Sequence, residues 1–423
     1  MKFFLSFNLC NLGTREPTIH NMLLPSLSPS LRLCSIVPHL RSFKPSRTSR
    51  YAGVVVFTII ALHSLLRITH EAYGRMTSIP NISAHFAWPL TGDVAGVRDP
   101  FDFSNVYVNG TRRANAAILM LARNSEIDKA ANSVRDLEDR FNSNFGYPWI
   151  FLNEEPFTEE FKERIRNITS GPVEFGLIPS DHWFQPDWVD EEKATQGRDK
   201  LVSQNIIYGD SVSYRNMCRF NSGFFYRHPL LKNFKWYWRV EPDVRFHCDI
   251  SFDPFIYMEE HGKVYSFTIT LYEYRETIPT LWDTVKEFIN DHPEYLAPNN
   301  SMAYLSNDDG RTYNLCHFWS NFEIADLDFW RGEAYTEFFN YLDSKAGFYY
   351  ERWGDAPVHS IAAALFARKD QIQFFDEIGY EHAPFTHCPR AGKSRKENHC
   401  SCRPWQSFDY TGYSCMRKWE KIQ

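Results

Sequence analysis

Apolar residues from Ala114 onward occur in two alternating patterns, short continuous runs and stretches with helical spacing. Ala116–Ala122 is a continuous apolar run, which predicts a buried strand. Trp149–Leu152 and Val173–Ile178 predict two further short strands. The gaps between these runs carry apolar residues at the spacing of a helix. The resulting β-α-β-α-β order predicts an α/β fold with right-handed crossovers and a largely parallel sheet.

Capping residues bound the two predicted helices. Asn124 and Ser125 offer an N-cap to the first helix, and Gly146 lies just past its end. Thr158 opens the second helix, which Gly171 stops. No G-x-G-x-x-G pattern follows the first strand, so the sequence does not favour a dinucleotide-binding fold.

The stretch Glu241-Pro242-Asp243 is the strongest candidate for chemistry. It follows Trp236–Val240, which predicts a buried strand, and Pro242 cannot take part in a central ladder. Two carboxylates are therefore expected at the carboxyl end of a core strand, the edge where open α/β sheets bind ligands. Paired carboxylates suit a hard divalent cation, which in turn suits a phosphate. The alternative is that both acids are only turn residues.

The segment Gly209–Phe225, just before that strand, is rich in polar and aromatic residues. Tyr214, Arg215 and Arg219 lie within it, and an arginine fork matches the oxygens of a diphosphate. The alternative for each arginine is an ion pair on the protein surface.

Four segments of the second half complete the predicted architecture. Val264–Leu271 predicts a strand, Phe329–Leu342 a helix and Gln371–Phe375 a last strand. His317–Trp330 is a dense aromatic segment, predicted as a loop, and it carries the acid Glu323. An alternative for Glu323 is an acid at the start of the following helix.

Asp355 and His382 both lie beside prolines. Asp355 is predicted to be the N-cap of an apolar helix over Val358–Ala367, with Pro357 in its first turn, which is a structural role. His382 lies in a proline-flanked segment predicted as a loop. A single loop histidine is more often an ordinary residue than a ligand, so neither residue identifies a site by itself.

The N-terminal region predicts a membrane anchor. Residues 1–50 carry seven basic residues against the single acid Glu16, and an apolar stretch, residues 51–68, follows. Its length approaches the roughly 17–20 residues that cross a thin bilayer. The basic flank predicts a cytosolic tail over residues 1–50, a type II signal-anchor, a stem over residues 69–105 and a lumenal domain over residues 106–423. The alternative for the apolar stretch is a buried core helix.

Seven cysteines follow the anchor, so at least one thiol has no intramolecular partner. A lumenal location permits disulfides, and the spacing of the last four cysteines lacks the paired knuckles of a zinc site. Sequons at Asn81, Asn109, Asn167 and Asn299 offer glycosylation sites. The net charge of −6 gives no reason to expect a nucleic acid as a partner.

Several of these segments together resemble the fungal Golgi α-1,2-mannosyltransferases of glycosyltransferase family fifteen. The likeness covers most of Ala114–Cys415, and three long motifs carry it in the same order: Tyr-Trp-Arg-Val-Glu-Pro-Asp, Phe-Trp-Ser-Asn-Phe-Glu-Ile and Glu-Arg-Trp-Gly-Asp-Ala-Pro. The matching stretches are Ser213–Phe225, Tyr237–Val244, His317–Ala325, Arg331–Tyr335, Tyr349–Phe366 and Ile378–His382. The type II anchor and the stem fit the same family.

The resemblance implies a glycosyltransferase-A-like fold, with a mixed, mostly parallel sheet flanked by helices, and a retaining transfer of mannose from GDP-mannose with Mn²⁺. It implies that Glu241 and His382 are metal ligands, that Glu323 is the carboxylate beneath the sugar and that Tyr214 is the active-site tyrosine. The further candidates for donor binding are Arg215, Arg219, Asp243 and Asp355. The implied acceptors are mannose-terminated N- or O-linked glycans of proteins. The implied location is the Golgi membrane, and the implied partner there is a Golgi mannosyltransferase complex.

Two other functions are compatible with the residues alone. A retaining glycosidase would use a pair of carboxylates such as Glu241 and Glu323, with neither nucleotide nor metal. A non-catalytic lumenal lectin would bind mannosides on the same fold without turnover of a nucleotide sugar. Sensitivity to a chelator separates the first from a transferase, and turnover of GDP-mannose separates the second.

Overall fold

A computed structural model describes residues 107–108 and 111–423. The predicted tail, anchor and stem, residues 1–50, 51–68 and 69–105, lie outside these described residues. Among the helices that the structure does describe, none combines the length and the apolar character needed to cross a membrane.

The largest sheet has seven strands in the order β12-β8-β11-β6-β3-β4-β5. The strands of the described chain are β1 Tyr107–Val108, β2 Thr111–Arg112, β3 Ala116–Leu121, β4 Trp149–Asn153, β5 Val173–Leu177, β6 Trp236–Arg239, β7 Val244–Phe246, β8 Tyr265–Phe267, β9 Thr270–Tyr272, β10 Cys316–Phe318, β11 Glu323–Asp326, β12 Ile372–Phe374, β13 Tyr380–His382 and β14 Phe385–His387. Within the sheet β11 pairs antiparallel with both neighbours, and all other pairs are parallel. The predicted mixed, mostly parallel α/β fold is thus confirmed.

Helices flank this sheet. Their bounds are α1 Ile127–Leu137, α2 Ser143–Phe145, α3 Glu159–Arg166, α4 Ser180–Trp183, α5 Glu191–Ser203, α6 Val212–Gly223, α7 Pro254–Glu260, α8 Leu281–Asp291, α9 Met302–Leu305, α10 Leu327–Arg331, α11 Glu333–Ser344, α12 Gly347–Tyr350, α13 Asp355–Phe366, α14 Gly392–Glu397 and α15 Met416–Ile422. Thr158 caps α3 as predicted, since its hydroxyl accepts the N–H of Phe161. Gly146 ends the α1–α2 region in the left-handed conformation, at φ 66°.

Two hydrophobic cores cover the two faces of the sheet, because side chains alternate along each strand. On β3, Ala117 and Leu119 pack into one core, and Ile118 and Met120 pack into the other. Every residue of β4 is buried, which explains the continuous apolar run Trp149–Leu152.

A three-stranded sheet, β14-β13-β7, extends from the carboxyl end of β6. Its central strand, β13, is antiparallel to both neighbours. The chain passes from β6 through Glu241-Pro242-Asp243 directly into β7, with Asp243 in the left-handed region at φ 71°. The predicted end of strand pairing at Pro242 is therefore a change of sheet.

Four of the predicted elements were wrong in detail. Val264–Leu271 is not one strand but two, β8 and β9, which belong to different sheets. The helix predicted over Phe329–Leu342 is divided at Gly332 into α10 and α11. Glu323 lies on the strand β11 and not in a loop or at a helix start, and His382 lies on β13 and not in a loop. In each case pairing with a strand distant in sequence decides the structure.

Three disulfides link the second half of the described chain: Cys248–Cys400, Cys316–Cys415 and Cys388–Cys402. Cys218 remains a free, buried thiol. The preference for disulfides over a zinc site is confirmed, as is the expectation of an unpaired cysteine. The Cys248–Cys400 bond ties the segment around α14 to the chain just after β7, and the Cys388–Cys402 bond ties it to the chain just after β14.

Candidate active site

The site is built at the carboxyl end of β6. Glu241 follows Arg239 by two residues and accepts two hydrogen bonds from its guanidinium on Oε1, from Nε at 3.1 Å and from Nη2. Glu241 is partly buried, with 26% of its side chain exposed, so one side faces out of the sheet edge. A carboxylate at this edge, held through one oxygen, can offer the other to a cation.

His382 reaches the same edge through the small sheet. Residue pairing places His382 opposite Val244, which follows the Glu241-Pro242-Asp243 turn. The ring packs edge-on against Trp319, with ring centroids 5.1 Å apart. Its Nδ1 is buried and has no hydrogen-bond partner. A buried ring nitrogen without a partner is costly unless a ligand occupies it.

These two residues fit an incomplete metal shell. An acid and an imidazole are both suitable ligands for Mn²⁺, and they leave the remaining positions for a diphosphate and water. No group of three or more potential ligands from His, Cys, Asp and Glu lies together in the described part of the chain. A protein site that supplies only two ligands matches a cation that is bound mainly through its nucleotide.

Asp243 is separate from this pair in the structure. Its carboxylate is 63% exposed and forms an ion pair with Lys129 at 2.9 Å. An exposed pair of this kind contributes little to stability. Asp243 lies at the predicted edge, and its contact with the cation or the donor stays a prediction.

A buried arginine links Glu241 to Asp355. Nη1 of Arg239 lies 2.5 Å from Oδ2 of Asp355, which also accepts the hydroxyl of Ser320 at 2.7 Å. Burial by itself would raise the pKa of Asp355, but Arg239 outweighs it and the pKa lies below its ordinary value. Burial likewise opposes the charge of Arg239, yet Asp355 and Glu241 raise its pKa well above the ordinary value. Asp355 and Arg239 are thus both charged, and Arg239 fixes the orientation of Glu241.

The prediction that Asp355 is an N-cap was wrong. Gly354 is the N-cap residue of α13 and Asp355 is the first helical residue. Its carboxylate bonds to Arg239 and Ser320, since those partners come from β6 and from the segment before β11. The predicted contact of Asp355 with the donor stays a prediction, and the contacts of this structure give it a supporting role behind Glu241.

Glu323 lies one strand away, opposite Arg239 in the β11–β6 register. It has no exposed surface. Its Oε1 accepts the hydroxyl of Tyr237 at 2.7 Å and its Oε2 lies 3.0 Å from Nδ1 of His359. The carboxylate is thus held on both sides beneath the sheet edge, and its predicted place beneath the sugar stays a prediction.

Tyr214 lies in the first turn of α6, where Ser211 caps the helix by accepting its N–H at 3.1 Å. Its ring stacks on Tyr208 at 4.6 Å, and the guanidinium of Arg352 lies 5.0 Å from the ring centre. Burial raises the pKa of Tyr214 well above its ordinary value, and Cys218 and Asp355 lie close enough to influence it. The phenol therefore stays protonated, as a hydrogen-bond donor on the α6 side of the Asp355 cluster.

Arg215 and Arg219 have partners within the fold. Arg215 is fully buried and donates to four backbone carbonyls, those of Tyr208, Gly209, Ser211 and Glu351. Burial and the nearby Arg352 lower its pKa to about 10. Arg219 forms a two-pronged ion pair with Asp343, with distances of 2.7 and 2.8 Å. The predicted contacts of these guanidinium groups with a diphosphate find no support in this geometry.

Arg123 is a candidate that the sequence reasoning missed. It lies directly beyond the carboxyl end of β3, the parallel neighbour of β6, and its side chain is exposed. The rule that ligands bind beyond the carboxyl ends of parallel strands would have pointed to it. Its guanidinium is available at this edge, whereas the guanidinium groups of Arg215 and Arg219 bond within the fold.

A mixed, mostly parallel sheet, with the strand-end acid Glu241 and the buried acid Glu323 at its carboxyl edge, fits the class of nucleotide-sugar-dependent glycosyltransferases. The profile of the family described as glycolipid 2-alpha-mannosyltransferase matches residues 90–423. The chain belongs to this family.

Curated relatives and solved structures agree. The chain is 56% identical over 323 residues to glycolipid 2-alpha-mannosyltransferase 2 of Candida albicans, which covers 74% of this chain and 70% of the relative. It is 52% identical over 310 residues to the alpha-1,2 mannosyltransferase KTR1 of Saccharomyces cerevisiae, covering 73% and 79%.

Two crystal structures have the same fold. Core-mannan synthase A of Aspergillus fumigatus, in its Mn/GDP form, has a TM-score of 0.70 and 42% identity, covering 78% of this chain and 92% of that one. The mannosyltransferase Ktr4p of S. cerevisiae, in complex with GDP, has a TM-score of 0.71 and 44% identity, covering 73% and 82%.

Proposed function

We propose that this chain transfers mannose from GDP-mannose to mannose-terminated glycans of proteins, N-linked, O-linked or both, and forms an α-1,2 linkage with retention of the anomeric configuration. The observation that carries the proposal is the β13–β7 register, which places His382 opposite Val244, three residues after Glu241, with a buried, unpartnered Nδ1 on His382. Membership of the family and the relatives' names support the linkage and the donor.

Glu241 and His382 would hold Mn²⁺, which the Mn/GDP form of a related structure supports. The bound cation would supply Lewis-acid stabilisation of the charge on the departing diphosphate. Arg239 orients the Glu241 carboxylate, and Asp355 holds Arg239 in turn. The exposed guanidinium of Arg123 would bind diphosphate oxygens at the same edge.

Glu323 would stabilise positive charge at the anomeric carbon of the sugar as the bond to the diphosphate breaks. Both of its oxygens are engaged and the side chain has no exposed surface, which favours this electrostatic role. Direct attack on the sugar would require one oxygen to leave Tyr237 or His359. Tyr214, whose phenol stays protonated, would donate a hydrogen bond within the site.

The test is an assay of the full chain with GDP-mannose and a panel of mannosides and mannose-terminated glycopeptides, followed by linkage analysis. An α-1,2-linked product, formed only with a divalent cation, supports the proposal. Hydrolysis of mannosides that persists in chelator would instead establish a glycosidase. Mannoside binding without any turnover of GDP-mannose would establish a lectin.

We infer a Golgi location, with residues 1–50 in the cytosol, residues 51–68 in the membrane, residues 69–105 as the stem and residues 106–423 in the lumen. The basic tail and the three disulfides support this orientation, because disulfides persist in oxidising compartments. In microsomes the region after the apolar segment should resist added protease and carry N-glycans, with Asn299 as an exposed acceptor. Digestion of the C-terminal domain in sealed microsomes would reverse the orientation. Co-purification with other mannosyltransferases would test the proposed complex.

A further inference from the structure

A continuous chain of hydrogen bonds surrounds Glu323. Tyr237 donates its hydroxyl proton to Oε1 of Glu323, because the same hydroxyl oxygen accepts Nε1–H of Trp330 at 3.0 Å. Oε2 faces Nδ1 of His359 at 3.0 Å, and Nε2 of His359 lies 3.0 Å from the carbonyl oxygen of Asn221. All of these groups are buried, so water cannot replace a missing partner.

The two contacts of His359 fix the number of protons that the His359 ring and the Glu323 carboxyl group carry together. A backbone carbonyl only accepts, so Nε2 must carry a hydrogen. Nδ1 faces a carboxyl oxygen, and one of these two atoms must carry a hydrogen for the contact to be attractive. The pair therefore holds one proton more than a neutral imidazole with a carboxylate. That proton lies between Nδ1 and Oε2.

Charged and titratable groups from every neighbouring element bear on this proton. Arg239 lies opposite Glu323 in the sheet and favours a negative charge there. Asp355 lies one turn before His359 on α13, and the two influence each other electrostatically. The neutral neighbours are Tyr237 on β6, Tyr265 on β8, Trp330 on α10 and Tyr335 on α11, whose ring lies 6.0 Å from His359.

We propose that His359 is a positioning residue of the transfer reaction, which holds one shared proton against Glu323 and thereby fixes the orientation and charge of that carboxylate. The proposal rests on the proposed function of Glu323. Loss of the shared proton at high pH would turn the Nδ1 lone pair toward Oε2 and disrupt the contact. Gain of a second proton at low pH would remove the negative charge from Glu323. Activity should therefore fall at both high and low pH. The fall at high pH, the alkaline fall, should be set by the His359–Glu323 pair.

The decisive variants are His359→Asn and His359→Gln in the full chain. The amide nitrogen of asparagine lies near the position of Nδ1 and can donate permanently to Glu323, whereas that of glutamine lies nearer the position of Nε2. We expect His359→Asn to keep measurable turnover and to lose the alkaline fall. We expect His359→Gln to lose about tenfold or more in kcat, with KM for GDP-mannose nearly unchanged, as when a group that orients a reactive side chain is removed.

The chain provides a matched control in His387, another buried histidine between a carboxylate and a carbonyl. Its Nδ1 lies 2.9 Å from Asp409 and its Nε2 3.1 Å from the carbonyl of Asp376. His387→Asn makes the same chemical change on β14 and should leave the alkaline fall in place. Assays are run well below the unfolding temperature of each variant. An alkaline fall that is unchanged in His359→Asn, or lost equally in both asparagine variants, would overturn the proposal.

A second measurement does not depend on activity. Nitrogen-15 NMR of histidine-labelled protein, with the His359 resonances assigned by their loss in His359→Asn, reports protonation of each ring nitrogen. We expect Nε2 to carry a hydrogen at neutral pH, with a second hydrogen shared between Nδ1 and Oε2 of Glu323. A neutral ring with its hydrogen on Nδ1 and none on Nε2 would overturn the shared proton. If the NMR result stands but GDP-mannose is not turned over, the proposed function fails and the proton assignment survives.

Discussion

His382 lies directly opposite Val244 in the β13–β7 pair, so a residue more than one hundred positions from Glu241 in sequence reaches the end of the same turn. This register brings the strand that carries His382 beside the strand that follows Glu241. Neither residue would identify a cation site by itself, because a strand-end acid and a single histidine are both common. The pairing of the two strands is what makes them a candidate site.

Metal dependence is expected from that register. A chelator should abolish mannose transfer and Mn²⁺ should restore it. Glu241→Gln and His382→Ala should fold, weaken Mn²⁺ binding in electron paramagnetic resonance titrations and lose nearly all activity, since each removes one of the two proposed protein ligands. Glu381→Gln is the control, because Glu381 is adjacent to His382 but bonds to His247 at 2.8 Å. Full activity in chelator, or normal Mn²⁺ binding by Glu241→Gln, would defeat the assignment.

Glu323→Gln should depress kcat strongly while leaving the binding of GDP-mannose nearly intact, the pattern of an interaction made mainly in the transition state. The amide keeps the size of the side chain but removes its charge. Glu138→Gln is a suitable control, because Glu138 is also a buried acid, bonded to Trp149 and Asn142 away from this edge. Near-normal turnover of Glu323→Gln, or a β-linked product of the unmodified enzyme, would remove Glu323 from the proposed role.

The disulfides should differ in their contribution to stability. The Cys316–Cys415 bond spans 99 residues and the Cys388–Cys402 bond spans 14. By the chain-entropy argument, replacing the longer bridge with a pair of alanines should cost about 4–5 kcal/mol of unfolding free energy, and replacing the shorter one about 3 kcal/mol. Urea unfolding of the two double variants measures both. The reverse order would show that contacts around Cys388–Cys402, rather than loop length, dominate.

The buried pair His387–Asp409 predicts a pH-dependent stability. Burial opposes the charge of His387, but the Asp409 carboxylate outweighs it and raises the pKa above the ordinary value of 6.5. The folded state then binds the proton more tightly than the unfolded state. The stabilisation is complete below pH 6.5 and is lost as the pH rises through the raised value.

Urea unfolding of the unmodified chain and of His387→Asn, at pH values below and above this window, tests the sign. The difference in unfolding free energy between the two proteins should be larger at the lower pH. A difference that grows as the pH rises would contradict the assignment of a charged pair.

The sequence by itself determined the α/β class, the first strands and helices and the position of Glu241 at the end of a core strand. These follow from local physics, because a buried strand needs a continuous apolar run and a proline ends a ladder. Of the two predicted N-caps, Thr158 is confirmed, whereas Glu126 and not Asn124 or Ser125 is the N-cap of α1. Long motifs carried the likeness to the family, and the comparisons confirmed it. The count of cysteines already required a free thiol, although it did not say which one.

Tertiary structure alone decided how the remaining residues function together. Strand pairing moved Glu323 and His382 from predicted loops onto β11 and β13, since register depends on contacts between residues far apart in sequence. Arg215 and Arg219 bond within the fold because both are buried. The sequence of a polar segment does not show which of its residues will be buried. In the sequence, His359 is one polar residue within the predicted apolar helix Val358–Ala367. Only the tertiary structure shows that its ring contacts Glu323. Which carboxylate a histidine meets is a property of three-dimensional packing, and no local pattern encodes it.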